Sequence, residues 1–228
     1  MQRAVMKIGG SLMIPPTGID THFLTTLNTF IRSYVDKGHS FYIVVGGGST
    51  TRLYQKAAQE IISDIPDEDV DWLGVHSTRL NAQLLRTIFK DIAHPRVIEN
   101  YEHKIEDLSH PIVVASGWKP GHSTNACAVQ LAIDYDVSTI LNLTNTAYVY
   151  DSDPKKNPDA QPLKKLAWEE YFKLIPMEWT PGAHVPFDPV ASRMAQKHEK
   201  TVIIADGTNF ENLTAILEGT DFDGTVIS

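Results

Sequence analysis

Two short apolar runs near the start of the chain each end in a glycine-rich turn, and each turn opens a segment with helical spacing. The turns are KIGGS, Lys7 to Ser11, and VVGGGST, Val44 to Thr50. Such strand–glycine–helix junctions constrain the fold strongly. Glycine lets a backbone approach a ligand closely, and a helix N-terminus supplies unpaired N–H donors and a favourable dipole. Two of them so near one another predict an anion site, with phosphate as the anion. Neither is a Walker A loop, because GxxxxGK[ST] occurs nowhere in the sequence.

The remaining pattern predicts an α/β fold with strands and helices alternating. Strands are expected at 3–8, 40–45, 111–115, 138–143, 201–205 and 224–228, and helices at 20–37, 49–63, 72–92, 123–135, 186–200 and 209–219. The acidic, proline-bearing stretch 64–71 reads as a break. This alternation predicts a three-layer αβα sandwich around a mainly parallel sheet. Residues 144–165, with three prolines, four lysines and the β-rich AYVY, read as a hairpin or lid rather than another βα unit. No internal repeat or low-complexity linker is present, and the 228 residues read as one compact domain.

Composition narrows the partners. A net charge of -8 disfavours a nucleic-acid polymer, whose phosphates attract basic surfaces, but leaves room for a nucleotide. One cysteine, Cys127, excludes an intrachain disulfide framework and fits a reducing cytosol. The N-terminus lacks an apolar signal core and no stretch reaches transmembrane length, so a cytoplasmic location without membrane attachment is expected.

Several residues carry candidate chemistry. Lys7 stands just before the first glycine turn, where a transferring phosphoryl group needs its charge neutralised; an exposed strand-end lysine is the plainer alternative. Arg52, one turn into the second helix, can reach back toward an anion or remain on the surface. The loop GWKPGHST, Gly117 to Thr124, leads into a helix capped by Ser123 or Thr124 and offers a second anion site. His122 reads as a phosphate donor or a structural loop histidine, and Trp118 as a base-pocket wall or packing under the loop. Thr144, Asn145, Tyr150, Asp151 and Asp153 can clamp an adenine and ribose or form an ordinary turn. Asp188 in PFDPVA reads as an N-cap, or as a partner that holds Lys7 by charge.

Taken in order, KIGGS, VVGGGST, the PGHST loop, TNTAYVYDSDPKKNPDA, FDPVA and the final GTVIS resemble the amino acid kinase superfamily over essentially the whole chain. The stretch from Asp71 through WLGVHSTRLNA, followed by PGHST, resembles its archaeal-type UMP kinases. The resemblance implies transfer of the γ-phosphoryl group of ATP to UMP, with Mg²⁺ bound through the ATP phosphates. It implies an acceptor-binding half at about 1–137 and an ATP-binding half at about 138–228. Gly10, Ser11, Gly48 and Arg52 would meet ATP phosphates or the reacting centre, and Thr144, Asn145, Tyr150 and Asp153 the rest of ATP. Gly47, Asp71 and the loop residues Trp118, Lys119, Pro120, Gly121, His122, Ser123 and Thr124 would bind UMP. Lys7, Arg52 and Asp188 would be the catalytic residues, and a homo-oligomer, commonly a hexamer in such proteins, is implied.

Two positions depart from the family pattern: Ala147 and Asn125 stand where aspartates are usual. Two other readings therefore stand beside the first. One is a kinase of the same fold with another small phosphate or carboxylate acceptor. The other is a nucleotide- or anion-binding protein without turnover.

Overall fold

A computed structural model describes residues 3–106, 109–154, 156–178 and 185–228. Its centre is a seven-stranded sheet in the order β3-β2-β1-β4-β8-β9-β7. The first five of these are β1 (Arg3–Ile8), β2 (Ser40–Val45), β3 (Ile112–Ala115), β4 (Thr139–Thr144) and β8 (Thr201–Asp206), all mutually parallel. β2 is buried from Phe41 to Val45 and β3 throughout, as befits parallel strands covered on both faces.

The final strand β9 (Thr225–Ile227) runs antiparallel to β8 and parallel to β7 (Lys165–Leu166). The expected excursion is present as a small hairpin, β5 (Val149–Tyr150) against β6 (Pro162–Leu163). That β7 then rejoins the main sheet was not anticipated, because a two-residue strand carries no periodicity to read.

On one face lie α2 (Thr21–Asp36), α4 (Asp67–Ile88) and α8 (Phe210–Glu218), whose buried residues share a core with Met6, Ile8 and Ile43. On the other lie α5 (Thr124–Asp134), α6 (Trp168–Tyr171) and α7 (Pro189–Lys197), sharing a core with Val5, Val44 and Ile140. The fully buried Leu27 and Ile31 of α2 each contribute roughly 1.5–3 kcal/mol of transfer free energy. Asp20 caps α2 by accepting from Phe23 N at 2.9 Å.

Two expectations need correcting. The stretch read as a break at 64–71 largely belongs to α4, which begins at Asp67 rather than Trp72 and stops at Ile88 rather than Ile92. Its acidic residues Asp67, Glu68 and Asp69 fill the first turn, where negative charge favours the helix dipole. The helix expected at 186–200 is confined to Pro189–Lys197, because Asp188 caps it and fixes its start. A short helix α1 (Gly10–Met13) follows the first glycine turn, and α3 (Gly48–Ile61) follows the second.

Candidate active site

The five parallel strands finish at one edge of the sheet, and the chain leaves them through Gly117, Gly46–Gly48, Gly9–Gly10, Thr144 and Gly207. The chain runs outward from β1 through β2 to β3, then returns to place β4 on the other side of β1. Sheets of this kind bind ligands outside the carboxyl ends of the strands at that reversal. Gly9 sits on it, donating its N–H to Leu143 O at 2.8 Å.

The two glycine turns meet back to back. Gly46 N donates to Ile8 O at 3.0 Å, and a Cβ on Gly10 would lie 2.1 Å from Gly48 N. Gly48 itself has φ +67, a left-handed conformation that favours glycine. Three residues hold the second turn from below. Asn81, buried on α4, donates to Gly46 O at 2.9 Å and to Gly47 O at 3.1 Å. Thr51 and Ser77 share a hydrogen bond close under Gly47.

Lys7 lies one residue before the end of β1, on the face of Val5 and in register with Asn142 of β4. Its side chain is partly buried, and among the described residues its ammonium has no hydrogen-bond or ion-pair partner. Burial lowers its pKa from 10.5 to about 8, and the Asp188 carboxylate opposes that shift.

Asp188, 3% exposed, is fully engaged. One carboxylate oxygen caps α7 by accepting from Val190 N at 3.1 Å and Ala191 N at 3.0 Å. The other accepts from the Ser123 hydroxyl at 2.5 Å. Ser123 in turn caps α5, accepting from Ala126 N at 3.0 Å. The first turns of two helices thus meet on the Lys7 face of the sheet. Of the two roles expected of Asp188 the N-cap is present, and its charge raises the Lys7 pKa against the effect of burial without an ion pair between the two.

Between these elements opens a cleft of about 240 Å³, floored by Gly47 and walled by Ser123, Thr124, Asn125 and Asp188. Lys119 and His122 line it from the loop, and Asp71, Val75 and Thr78 from α4. Asn125 is 8% exposed, and its Oδ1 has no hydrogen-bond partner among the described residues.

The loop 117–124 is fixed to α4. Gly117 N donates to Thr78 Oγ1 at 2.8 Å and Gly121 N to Asp71 Oδ2 at 3.0 Å. Trp118 packs against Tyr101 and His122, with ring centroids 5.8 and 4.7 Å away, and the Lys119 ammonium sits 3.9 Å over its ring. Of the two roles open to Trp118, packing is the one its contacts favour. Pro120 and Gly121 face a neighbouring groove of about 570 Å³ beside Asp71 and Trp72.

The other expected ATP-side residues are more dispersed. Ser11 and Arg52 are exposed on α1 and α3, and Arg52 makes no hydrogen bond among the described residues. Thr144 closes a turn, its hydroxyl donating to Thr146 O at 2.8 Å, and Asn145 beside it is exposed. Tyr150 pairs with Pro162 in the hairpin, and the Asp153 carbonyl accepts from Asn157 N at 2.8 Å.

Residues that sequence reading passed over are Ser77, Thr78 and Asn81. Their signal was present: three polar residues buried on the inner face of α4 at helical spacing. Among the described residues no group of three or more His, Cys, Asp or Glu is placed to hold a metal ion.

A parallel sheet with these corners, backed glycine turns and two helix N-termini defines a class, and comparison with known proteins agrees. The chain belongs to the amino acid kinase family, whose model matches residues 2–206. Within it, the chain is similar to uridylate kinases. That of Sulfurisphaera tokodaii is 32% identical over 99% of this chain and 98% of its own length. That of Methanocorpusculum labreanum is 31% identical over 100% of this chain and 96% of its own. The crystal structure of uridylate kinase from Archaeoglobus fulgidus superposes with a TM-score of 0.83 over 100% of both chains, at 29% identity.

Proposed function

We propose that this chain is an ATP-dependent UMP kinase, transferring the γ-phosphoryl group of ATP to UMP to give UDP and ADP. The observation that carries this reading is the convergence of Lys7, the backed turns at Gly10 and Gly48, and the Ser123–Asp188 junction on one edge of the sheet. The uridylate kinases among its full-length relatives supply the acceptor.

In this reading the acceptor phosphate lies in the cleft of Gly47, Asp71 and the loop 118–124, at the N-terminus of α5. Gly10, Ser11, Gly48 and Arg52 meet the ATP phosphates, and Thr144, Asn145, Tyr150 and Asp153 the nucleoside side. An acceptor phosphate oxygen attacks the γ-phosphorus, and the bond to the β–γ bridging oxygen breaks as ADP leaves. Lys7 neutralises charge on the transferring group, and Asp188 keeps that ammonium in place. Positioning and charge suffice, without a covalent enzyme intermediate.

The residues fit a magnesium ion carried by ATP rather than a protein cage. The Asp188 carboxylate already accepts three hydrogen bonds, and among the described residues no group of three or more His, Cys, Asp or Glu is placed to hold the ion. When bound, Mg²⁺ would supply positive charge against the ATP phosphates. In this proposal one kinase domain spans the chain, with acceptor and ATP halves meeting near residue 137. A homo-oligomer, with a hexamer as the fullest form, accounts for the apolar face of α3 and α4, where Leu53, Ile61 and Leu80 are 66, 81 and 66% exposed. A cytoplasmic location is part of the proposal; no helix among the described residues is long and apolar enough to cross a membrane.

The test is ADP formation from Mg-ATP with UMP, CMP, GMP and AMP, and preference for UMP is expected. Absence of ADP formation with every acceptor would overturn the reading. Asn125 motivates one competing case, a nucleotide-binding protein without turnover, which would show tight binding by calorimetry and no product. Another small phosphate or carboxylate as the preferred acceptor would make it a different kinase of the same fold.

A further inference from the structure

A second cavity, of about 210 Å³, opens at the opposite edge of the sheet, where β1, β2 and β3 begin. Arg3 and Lys7 are four residues apart on β1, roughly 13 Å of strand, so this cavity is separate from the kinase cleft. Its polar lining is Arg3, His39, Ser40, Tyr42, Ser109 and His110, and no acidic residue is among the described residues that line it. In a chain with 28 acidic and 20 basic side chains, a pocket whose described lining bears a guanidinium and two imidazoles and no carboxylate is a local reversal of charge.

Two of its polar groups lack partners. Tyr42 is 3% exposed, stacked on Tyr135 with centroids 4.5 Å apart, and its hydroxyl has no hydrogen-bond partner among the described residues. The Ser40 hydroxyl is sealed from solvent and is likewise unpartnered there. The sealed Ser40 oxygen is out of a ligand's reach, whereas a ligand that pairs the Tyr42 hydroxyl gains a hydrogen bond the described residues leave unmade. Arg3 is close enough to Tyr42 to offset part of the pKa rise that burial imposes on the phenol. His39 is held below its ordinary pKa, chiefly by burial and next by the Lys37 charge, so near neutrality its ring offers a single N–H donor.

The geometry points to a second anion site here, taking a small phosphate-bearing molecule on the Arg3 guanidinium, the Tyr42 hydroxyl and the His39 and His110 rings. A guanidinium and several other donors around a cavity whose described lining holds no acid match a tetrahedral oxyanion, which accepts from many directions. This site goes beyond the proposed kinase reaction and does not depend on it.

The experiment is a titration of the full chain with inorganic phosphate, followed by the histidine ring signals in NMR. His39 and His110 report this cavity, and His122 reports the kinase cleft in the same spectra. Saturable movement of the His39 and His110 signals is expected, with the midpoint raised about ten-fold or more in Arg3→Glu. Tyr42→Phe keeps the ring stack and should raise the midpoint about three- to ten-fold. Unsaturable movement, or a midpoint unchanged in both variants, would overturn the site. Movement of His122 alone would also overturn it while leaving the kinase reading standing.

Discussion

The Ser123 hydroxyl donates to Asp188 Oδ2 at 2.5 Å, joining the N-termini of α5 and α7 through two residues that each cap their own helix. Ser123→Ala removes one cap and leaves a buried carboxylate oxygen unpaired. A loss of about 1–3 kcal/mol is expected, read as a lower urea midpoint at unchanged m-value. Ser123→Thr should restore most of it. A wild-type midpoint in the alanine variant would show that the junction carries no weight.

Lys7 gives a pH dependence with a definite sign. Its proton leaves at about pH 8 in the folded chain and at 10.5 in the unfolded one. Between those values the unfolded chain binds the extra proton, so this group adds stability as pH rises through the window. Below about 8 both states are charged and the burial penalty stands in full. If the ammonium meets the transferring group, kcat/KM should fall above about pH 8, and Lys7→Arg should flatten that fall. Lys7→Ala should lower kcat roughly 10²-fold or more. An unchanged kcat would remove Lys7 from the chemistry.

Gly10 and Gly121 should respond differently to alanine. At Gly10 the new methyl would lie 2.1 Å from Gly48 N, so one glycine turn must be displaced. Overpacking of this kind typically costs about 1–3 kcal/mol, and with backbone on both sides the upper end or more is expected, along with loss of turnover. Gly121 has φ +78 but nothing within 4 Å of the added methyl, so only about 1–2 kcal/mol of left-handed strain is expected. Thermal unfolding of the pair separates clash from strain.

Asn81→Ala would strip two carbonyls of the second glycine turn of their donor. A loss of about 1–3 kcal/mol is expected, and kcat/KM should fall because Gly47 and Gly48 are no longer held at the cleft. A Gln at 81 reaches too far for the same two oxygens and should not rescue it.

Much of this arrangement was readable from the sequence, for reasons visible in particular residues. Strands such as SFYIVV sit in the middle of a parallel sheet and are apolar on both faces, so they announce themselves. Asn209 and Gly219 bracket α8 as N-cap and left-handed C-cap, and that helix was placed to within a residue. The start of α4 was misread because Pro66 and three acids resemble a loop, yet a proline cap followed by acids is also how a helix begins. β7 and α6 were invisible because two- and four-residue elements are set by tertiary contacts. The convergence of Lys7 with both glycine turns followed from strand adjacency. The supports beneath them, Asn81, Thr78 and Ser77, did not, because nothing local distinguishes a buried helix amide that braces a turn from one that faces water.

One helix, α4, carries Asp71, Thr78 and Asn81, and so grips the loop 117–124 at two amides and the second glycine turn at two carbonyls. Any rigid tilt of that rod would carry the floor and one wall of the cleft along together. The loop and the turn are thereby tied to a single rigid body, and neither can shift alone without breaking hydrogen bonds to it.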